Sequence, residues 1–307
     1  MAPIKYRMKL VTINMNVAST LPFRLNRSNL LSSNGIIKTL AFVFFSCFLQ
    51  LNSGCSRLNE VGSIEVEVWH NGSPLDCNTF ENNQQVWSIQ QLAFFISEVK
   101  MSNENTEHQA QLSSTPWQTN DVVLIQPDLV DCVAKTEGEG KTTQGNQVAS
   151  EALNTNNHLQ FLLPVDLDAS KQLSFTLAVP FAQNHQNPLL QTSPLNLPSM
   201  FWSWQSGHKF FRLDMQGSNN NWVFHLGSVG CAAASVMRTP QKECEQPNRI
   251  NFDLDKKHDG TKLIMHIDRL VANTSMQNND SCLFHSGQES CTILMSNLQT
   301  KDVFEWH

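Results

Sequence analysis

"SIEVEVW", residues 63–69, alternates Ile64, Val66 and Val68 with Glu65 and Glu67. Successive side chains of an extended chain point to opposite faces, so this period of two predicts a half-buried strand with one apolar and one acidic side. The same reading extends over QLAFFISEVKM (91–101), DVVLIQ (121–126), HLQFLLPV (158–165) and QLSFTLAVP (172–180). It continues through KFFRLDM (209–215), NWVFHLG (221–227), RINFDLD (249–255) and KLIMHID (262–268). Nine short strands with turn-rich spacers predict an all-β fold, an immunoglobulin-like antiparallel β-sandwich with long loops and short helices. Residues 134–157 and 271–282 are polar and read as surface loops. With no internal repeat, residues 55–307 are expected to form one domain, and 40% hydrophobic content in 307 residues is enough to bury its core.

The first 54 residues stand apart. They hold six basic side chains (Lys5, Arg7, Lys9, Arg24, Arg27, Lys38), no acid, and then the apolar run TLAFVFFSCFLQL, residues 39–51. That order of basic and apolar regions predicts an export leader, and the run is too short to span a bilayer. The following NSGC, residues 52–55, suits a lipoprotein cleavage box, which makes Cys55 the candidate lipid anchor. Ordinary cleavage nearby would instead leave a soluble periplasmic protein. The expected location is therefore the periplasm, or the outer membrane as a lipoprotein.

Beyond the leader, all 27 acidic residues remain against 15 of the 21 basic ones. Such an acidic domain without a Lys/Arg run is a poor match to nucleic acid and a better one to cationic ligands. Six further cysteines, an even number in an exported chain, predict disulfides, and sequential pairing gives Cys77–Cys132, Cys231–Cys244 and Cys282–Cys291. No CxxC pair is present, which argues against a structural zinc site.

Candidate chemistry gathers in PLNLPSMFWSWQSGHKFFRLDM, residues 194–215, and in the preceding loop FAQNHQNPLLQTSPL, residues 181–195. His185 lies in that loop, and His225 lies on a strand out of phase with Trp222, Phe224 and Leu226. Imidazoles from a loop and a strand suit a soft or borderline metal such as copper, although a histidine satisfied by hydrogen bonds is the commoner outcome for either alone. Trp202 and Trp204, two residues apart, point to different faces, so at most one is expected to be plain core. Met200 reads first as a core filler and His208 as a further potential ligand. No GxSxG, HExxH, Walker or GxGxxG motif stands in suitable context, so the chain is not expected to be an enzyme.

QLAFFISEVKM, PWQTNDVVLIQPD, the 179–215 stretch, HLGSVGC, PNRINFDL and the Cys282/Cys291 pair together resemble the MbnP-like family, the four-Cys member of the metallo-mystery pair, over residues 61–298. The resemblance implies an exported copper-binding protein. It also implies a dihaem cytochrome c peroxidase-like partner of the MbnH type, and a tryptophan oxidised to kynurenine beside histidine ligands for Cu(I). On that likeness His185 and His225 match family positions, as do Trp117, Trp202 and Trp204, the candidates for modification. The family usually has GYKF where this chain has GHKF, which puts His208 at a tyrosine position. Two other readings compete: a β-sandwich lipoprotein without metal that stacks a carbohydrate or other ligand on Trp202 and Trp204, and a disulfide-stapled structural protein.

Overall fold

The computed structural model describes residues 62–104, 106–129, 155–162, 167–277, 280–283, 289–300 and 302–307. They belong to the second of two units, Arg57–His307. The expected leader, Cys55, Cys132 and most of the 134–157 loop lie outside the described residues.

The strands are β1 (Gly62–His70), β2 (Ser73–Pro74), β3 (Thr79–Asn82), β4 (Gln85–Ser102), β5 (Glu107–Gln109), β6 (Val122–Ile125) and β7 (His158–Phe161). They continue as β8 (Gln172–Leu177), β9 (Phe201–Ser203), β10 (Gly207–Gln216), β11 (Asn221–Gly227), β12 (Ile250–Asp255), β13 (Lys262–His266) and β14 (Phe304–Trp306). The smaller sheet runs β14-β13-β1-β2, with β7 also on β1. The larger runs β11-β10-β4-β8-β12, with β3, β5 and β6 on β4 and β9 on β10. Each of the nine segments read from the sequence contains a strand. The additional ones, β2, β3, β5, β9 and β14, span two to four residues, too few to display a period. One pairing departs from the antiparallel expectation: β1 and β13 run parallel, with Glu65 opposite Lys262. They are distant in sequence, so no tight hairpin imposes an antiparallel partner.

β1 buries Ile64, Val66 and Val68 and leaves Glu65 and Glu67 at the surface, as its alternation requires. β4 differs, because Leu92 to Ser97 are all buried and its neighbours cover both faces. Its phase slips at Glu98, where φ is 54° and the register against β8 shifts between Ser97 and Lys100. This β-bulge moves the inward positions from Phe94 and Ile96 to Val99 and Met101. The carboxylate of Glu98 turns outward, accepting hydrogen bonds from Thr176 Oγ1 and Arg249 Nη2, both at 2.8 Å.

The two sheets meet through aromatic edges. Phe304 of β14 contacts Phe94 of β4, Phe175 of β8 and Phe252 of β12 at centroid distances of 5.6, 5.5 and 4.9 Å. Such edge-to-face pairs contribute about 0.5–1.5 kcal/mol each beyond area burial. Two disulfides read from the sequence are present, Cys231–Cys244 and Cys282–Cys291. Cys77 is also disulfide-bonded, and the partner expected for it, Cys132, is outside the described residues. Cys282 extends the edge of β11, exchanging backbone hydrogen bonds with Val223 and His225. Its disulfide therefore ties the helix Glu289–Thr300 to that edge. Disulfides of this number suit an oxidising compartment. Among the described residues, no helix is long and apolar enough to cross a membrane.

Glu305, between the inward Phe304 and Trp306, faces Arg269, Lys257 at 3.0 Å, and the Nε2 atoms of His266 and His307 at 3.6 and 3.5 Å. Burial alone would raise its carboxyl, but hydrogen bonds from Arg269 and Lys257 win and hold it down at about 2. A depressed carboxylate stabilises the fold above its unfolded value near 4.5, and that contribution fades as pH falls towards about 2. Glu305→Gln is therefore expected to lose about 2 kcal/mol at pH 7 after allowance for solvent screening. The difference from wild type should close as urea melts are repeated from about pH 5 down to about pH 2.

Candidate functional site

Three short elements lead into β10. Pro180 starts the one-turn helix Phe181–Asn184, which ends at His185, and prolines open the single 3-10 turns Pro188–Leu190 and Pro198–Met200. Fixed proline φ suits a first helical position, and the missing N–H costs nothing there. β9 then carries Phe201 to Ser203, and a turn over Trp204 to Ser206 returns the chain at Gly207.

The Asn184 side chain organises this corner. Its Oδ1 accepts the His208 backbone N–H at 2.7 Å, and because that N–H can only donate, the amide orientation is fixed. Nδ2 consequently points to His185 Nε2 at 3.1 Å and donates to it. His185 Nε2 therefore carries a lone pair, and the ring proton sits on Nδ1, donating to the Trp204 carbonyl at 3.2 Å. Burial pushes the His185 pKa below its ordinary value, outweighing the backbone carbonyls that favour protonation, so the ring is neutral at pH 7. The same Nε2 lies 3.6 Å from Cys244 Sγ. His185, Cys231 and Cys244, all buried, hold one donor atom each within 4.8 Å of one another.

Cavities of about 580 and 420 Å³ flank this point. Trp204 lines the first with Ala232, Arg238 and Thr239, whereas Trp202 lines the second with Ser228, Gly230 and Cys231. The loop 231–244 is latched to the site by Thr239 Oγ1 donating to the His185 carbonyl at 2.9 Å and by Gln205 Nε2 donating to the Cys231 carbonyl at 2.8 Å. The Trp202 ring packs over Gly227, and Lys209 Nζ stands 6.0 Å from its centroid. Burial lowers the Lys209 amine to about 8, with Arg212 adding repulsion.

The other histidines separate by environment. His225 alternates outward on β11 on the same face as Gly227, and its Nε2 donates to Asp214 Oδ1 at 2.5 Å. Burial would raise the Asp214 carboxyl, but His225 and Arg212 hold it below the usual carboxylate range, so Asp214 is an acceptor and the contact fixes the orientation of the His225 ring. His208 is fully buried with Nδ1 2.9 Å from the Asn184 carbonyl and Nε2 2.9 Å from the Leu195 carbonyl. A carbonyl accepts only, so both ring nitrogens face backbone acceptors and neither is open to a ligand. His208 is placed as a clamp joining the two loops to β10. Met200 is buried in the core, and Trp117 is half-buried against it.

The family model of MbnP matches residues 59–286. The chain belongs to the MbnP family. The fold is similar to that of MbnP from Methylosinus trichosporium, with a TM-score of 0.61 at 16% identity, covering 76% of this chain and 86% of that one. No curated protein matches the chain.

What the sequence left unseen in this MbnP-family chain is the pairing of glycines with site residues. A Cβ on Gly207, where φ is +76°, would meet Asn184 Oδ1 at 2.5 Å, and one on Gly227 would meet Trp202 Cζ3 at 2.5 Å. Asn184 was likewise invisible as an organiser, since a lone asparagine carries no sequence signal. Gly207→Ala is expected to destabilise the fold by about 2–4 kcal/mol, combining left-handed strain and overpacking. Thermal unfolding measures the loss, and loss of amide-exchange protection at the His208 N–H would trace it to Asn184.

Proposed function

We propose that this chain is an exported copper-binding protein that holds Cu(I) through His185 and His225. In this reading a dihaem cytochrome c peroxidase-like partner of the MbnH type oxidises a tryptophan of the Trp202/Trp204 pair to kynurenine. The protein is the substrate of that modification and then a binder, not an enzyme.

The observation that carries this reading is the way the two imidazoles are held. Metal-binding histidines ordinarily donate the ring N–H that is not coordinating to a carbonyl or carboxylate, which fixes the tautomer and aims the other nitrogen. His185 donates Nδ1–H to Trp204, which leaves Nε2 as the ligating nitrogen once it exchanges the Asn184 amide for the metal, while His225 donates Nε2–H to Asp214, which turns Nδ1 away from that carboxylate. Neutral imidazoles suit Cu(I), and an acidic domain attracts cations. Copper bound there would supply a soft Lewis-acidic centre. The protein's own part is to keep the His185 ring neutral and both rings oriented and largely shielded from water.

Membership of the MbnP family and the fold shared with the Methylosinus trichosporium protein support a copper role. Leu189 and Leu190 are exposed on the loop that carries His185, and Val236 and Met237 on the loop whose Val236 carbonyl accepts from the Gln205 N–H, apolar side chains suited to a protein partner. Trp202 and Trp204 line different cavities, so they do not form the joint platform that the carbohydrate reading requires.

Cu(I) titration of residues 55–307 against a competing chelator, after co-expression with and without the partner, tests this. His185→Ala and His225→Ala should each weaken binding by about 10-fold or more. Peptide mass spectrometry should find kynurenine at Trp202 or Trp204 only with the partner present. Unchanged affinity in both variants would reject the proposed ligands, and kynurenine at Trp117 would move the modification elsewhere.

A further inference from the structure

In the folded protein the Cys231–Cys244 disulfide is not merely a loop closure. It stands against a histidine whose Nε2, which accepts from Asn184 Nδ2, lies 3.6 Å from Cys244 Sγ and can exchange that amide for a metal. We infer that this disulfide is a redox gate, and that reducing it converts His185, Cys231 and Cys244 into a two-sulfur, one-nitrogen site for a soft d10 cation such as Cu(I). The inference deepens the copper reading above and rests on it for the role of His185 as a ligand.

Four observations converge. The donor atoms of the three residues lie within 4.8 Å of one another, and all three side chains are buried. His185 Nε2 is 3.6 Å from Cys244 Sγ, with its proton held on the far nitrogen by the Trp204 carbonyl. A disulfide sulfur is a weak donor, whereas a thiolate is among the strongest for Cu(I). Finally, the residues between the two cysteines are mostly exposed, so the two sulfurs can separate without dismantling the core, while Thr239 and Gln205 keep the loop beside His185.

Access exists from one side. Cys231 lines the cavity of about 420 Å³ next to Trp202 and Gly230. A dithiol reductant, small or protein-borne, would attack the Cys231 sulfur as its thiolate, and Cys244 would leave as a thiolate. The second thiol of the reductant then displaces Cys231 from the mixed disulfide. In balance, the dithiol becomes a disulfide, two electrons and two protons pass to the protein, and Cys231 and Cys244 become thiols. Cu(I) binding then displaces the thiol protons to solvent.

Gating follows from the donor change. In the oxidised protein a cation at His185 has imidazole as its nitrogen ligand and no thiolate, and the reduced protein adds two. On reoxidation by an exogenous disulfide, which one cysteine thiolate attacks and which leaves as two thiolates carrying the two electrons, Cys231–Cys244 re-forms and copper held in the reduced state would be released.

The test uses residues 55–307, oxidised or reduced with a water-soluble phosphine under anaerobic conditions, and titrates Cu(I) against a competing chelator. Reduced wild type is expected to bind one Cu(I) at least about 10-fold more tightly than oxidised protein. It should show thiolate-to-copper charge-transfer absorption, with Cys231 and Cys244 protected from alkylation. Cys231→Ser/Cys244→Ser should lose the charge-transfer band and the gain in affinity while keeping the oxidised protein's binding. His185→Gln, which leaves all cysteines in place, should retain the band and lose about 10-fold or more of the reduced affinity.

Equal affinity in the two redox states would overturn the inference. So would a band that survives in the double serine variant, or alkylation protection confined to other cysteines. The outcome is separable from that of the copper reading. Absence of Cu(I) binding to oxidised protein rejects the imidazole site, whereas absence of a reduction-dependent gain rejects the gate alone.

Discussion

The structure depends on β4 being buried on both faces. Leu92 to Ser97 have no solvent side, and this strand takes β10 and then β8 along one edge and β6 along the other, while Phe94 reaches Phe304 across the sandwich. Because β4 is fixed by packing on every side, β10 starts at a fixed height, and with it Gly207 and His208. The corner that carries His185 is therefore referenced to the core and not to its own loop. Loops positioned on a rigid scaffold are where binding groups are usually found, and here a buried asparagine and a buried histidine make the connection.

That connection is polar in an otherwise apolar surrounding. Asn184 serves three groups at once: the His208 backbone, the His185 ring and, more weakly at 3.4 Å, Ser228 Oγ. In a low-dielectric setting each of these hydrogen bonds is strengthened, and each would be expensive to leave unmade. The tautomer of His185 is thus a consequence of a backbone N–H on a different strand. A side chain that looks local in the sequence is set by a contact from Asn184 to His208, 24 residues on.

Much of the sandwich was legible in the chain, because period-two alternation is a local property that survives in segments such as residues 63–69 and 221–227. The parallel partnership of β1 with β13 was not, since pairing direction between distant strands leaves no trace in either strand alone. Nor were β9 and β14, at three residues each. At the site, residue types pointed to His185, His208 and His225 alike. What distinguishes them is where each ring's other nitrogen points, and this depends on Trp204, Asp214, Asn184 and Leu195. The sequential cysteine arithmetic matched Cys231–Cys244 and Cys282–Cys291, yet it could not foresee that the first lies against an imidazole.

The missing side chain at Gly227 has a chemical consequence. The atoms of Trp202 that come nearest to it are Cζ3 and Cη2, both in the six-membered ring of the indole. Conversion of tryptophan to kynurenine opens the five-membered ring and leaves the benzenoid ring intact. A Trp202 so altered would keep its footing on the strand while gaining a carbonyl and an aniline nitrogen on a newly rotatable arm. The glycine would then act as a fixed pivot, so that oxidation changes what the side chain can reach without changing where it is anchored.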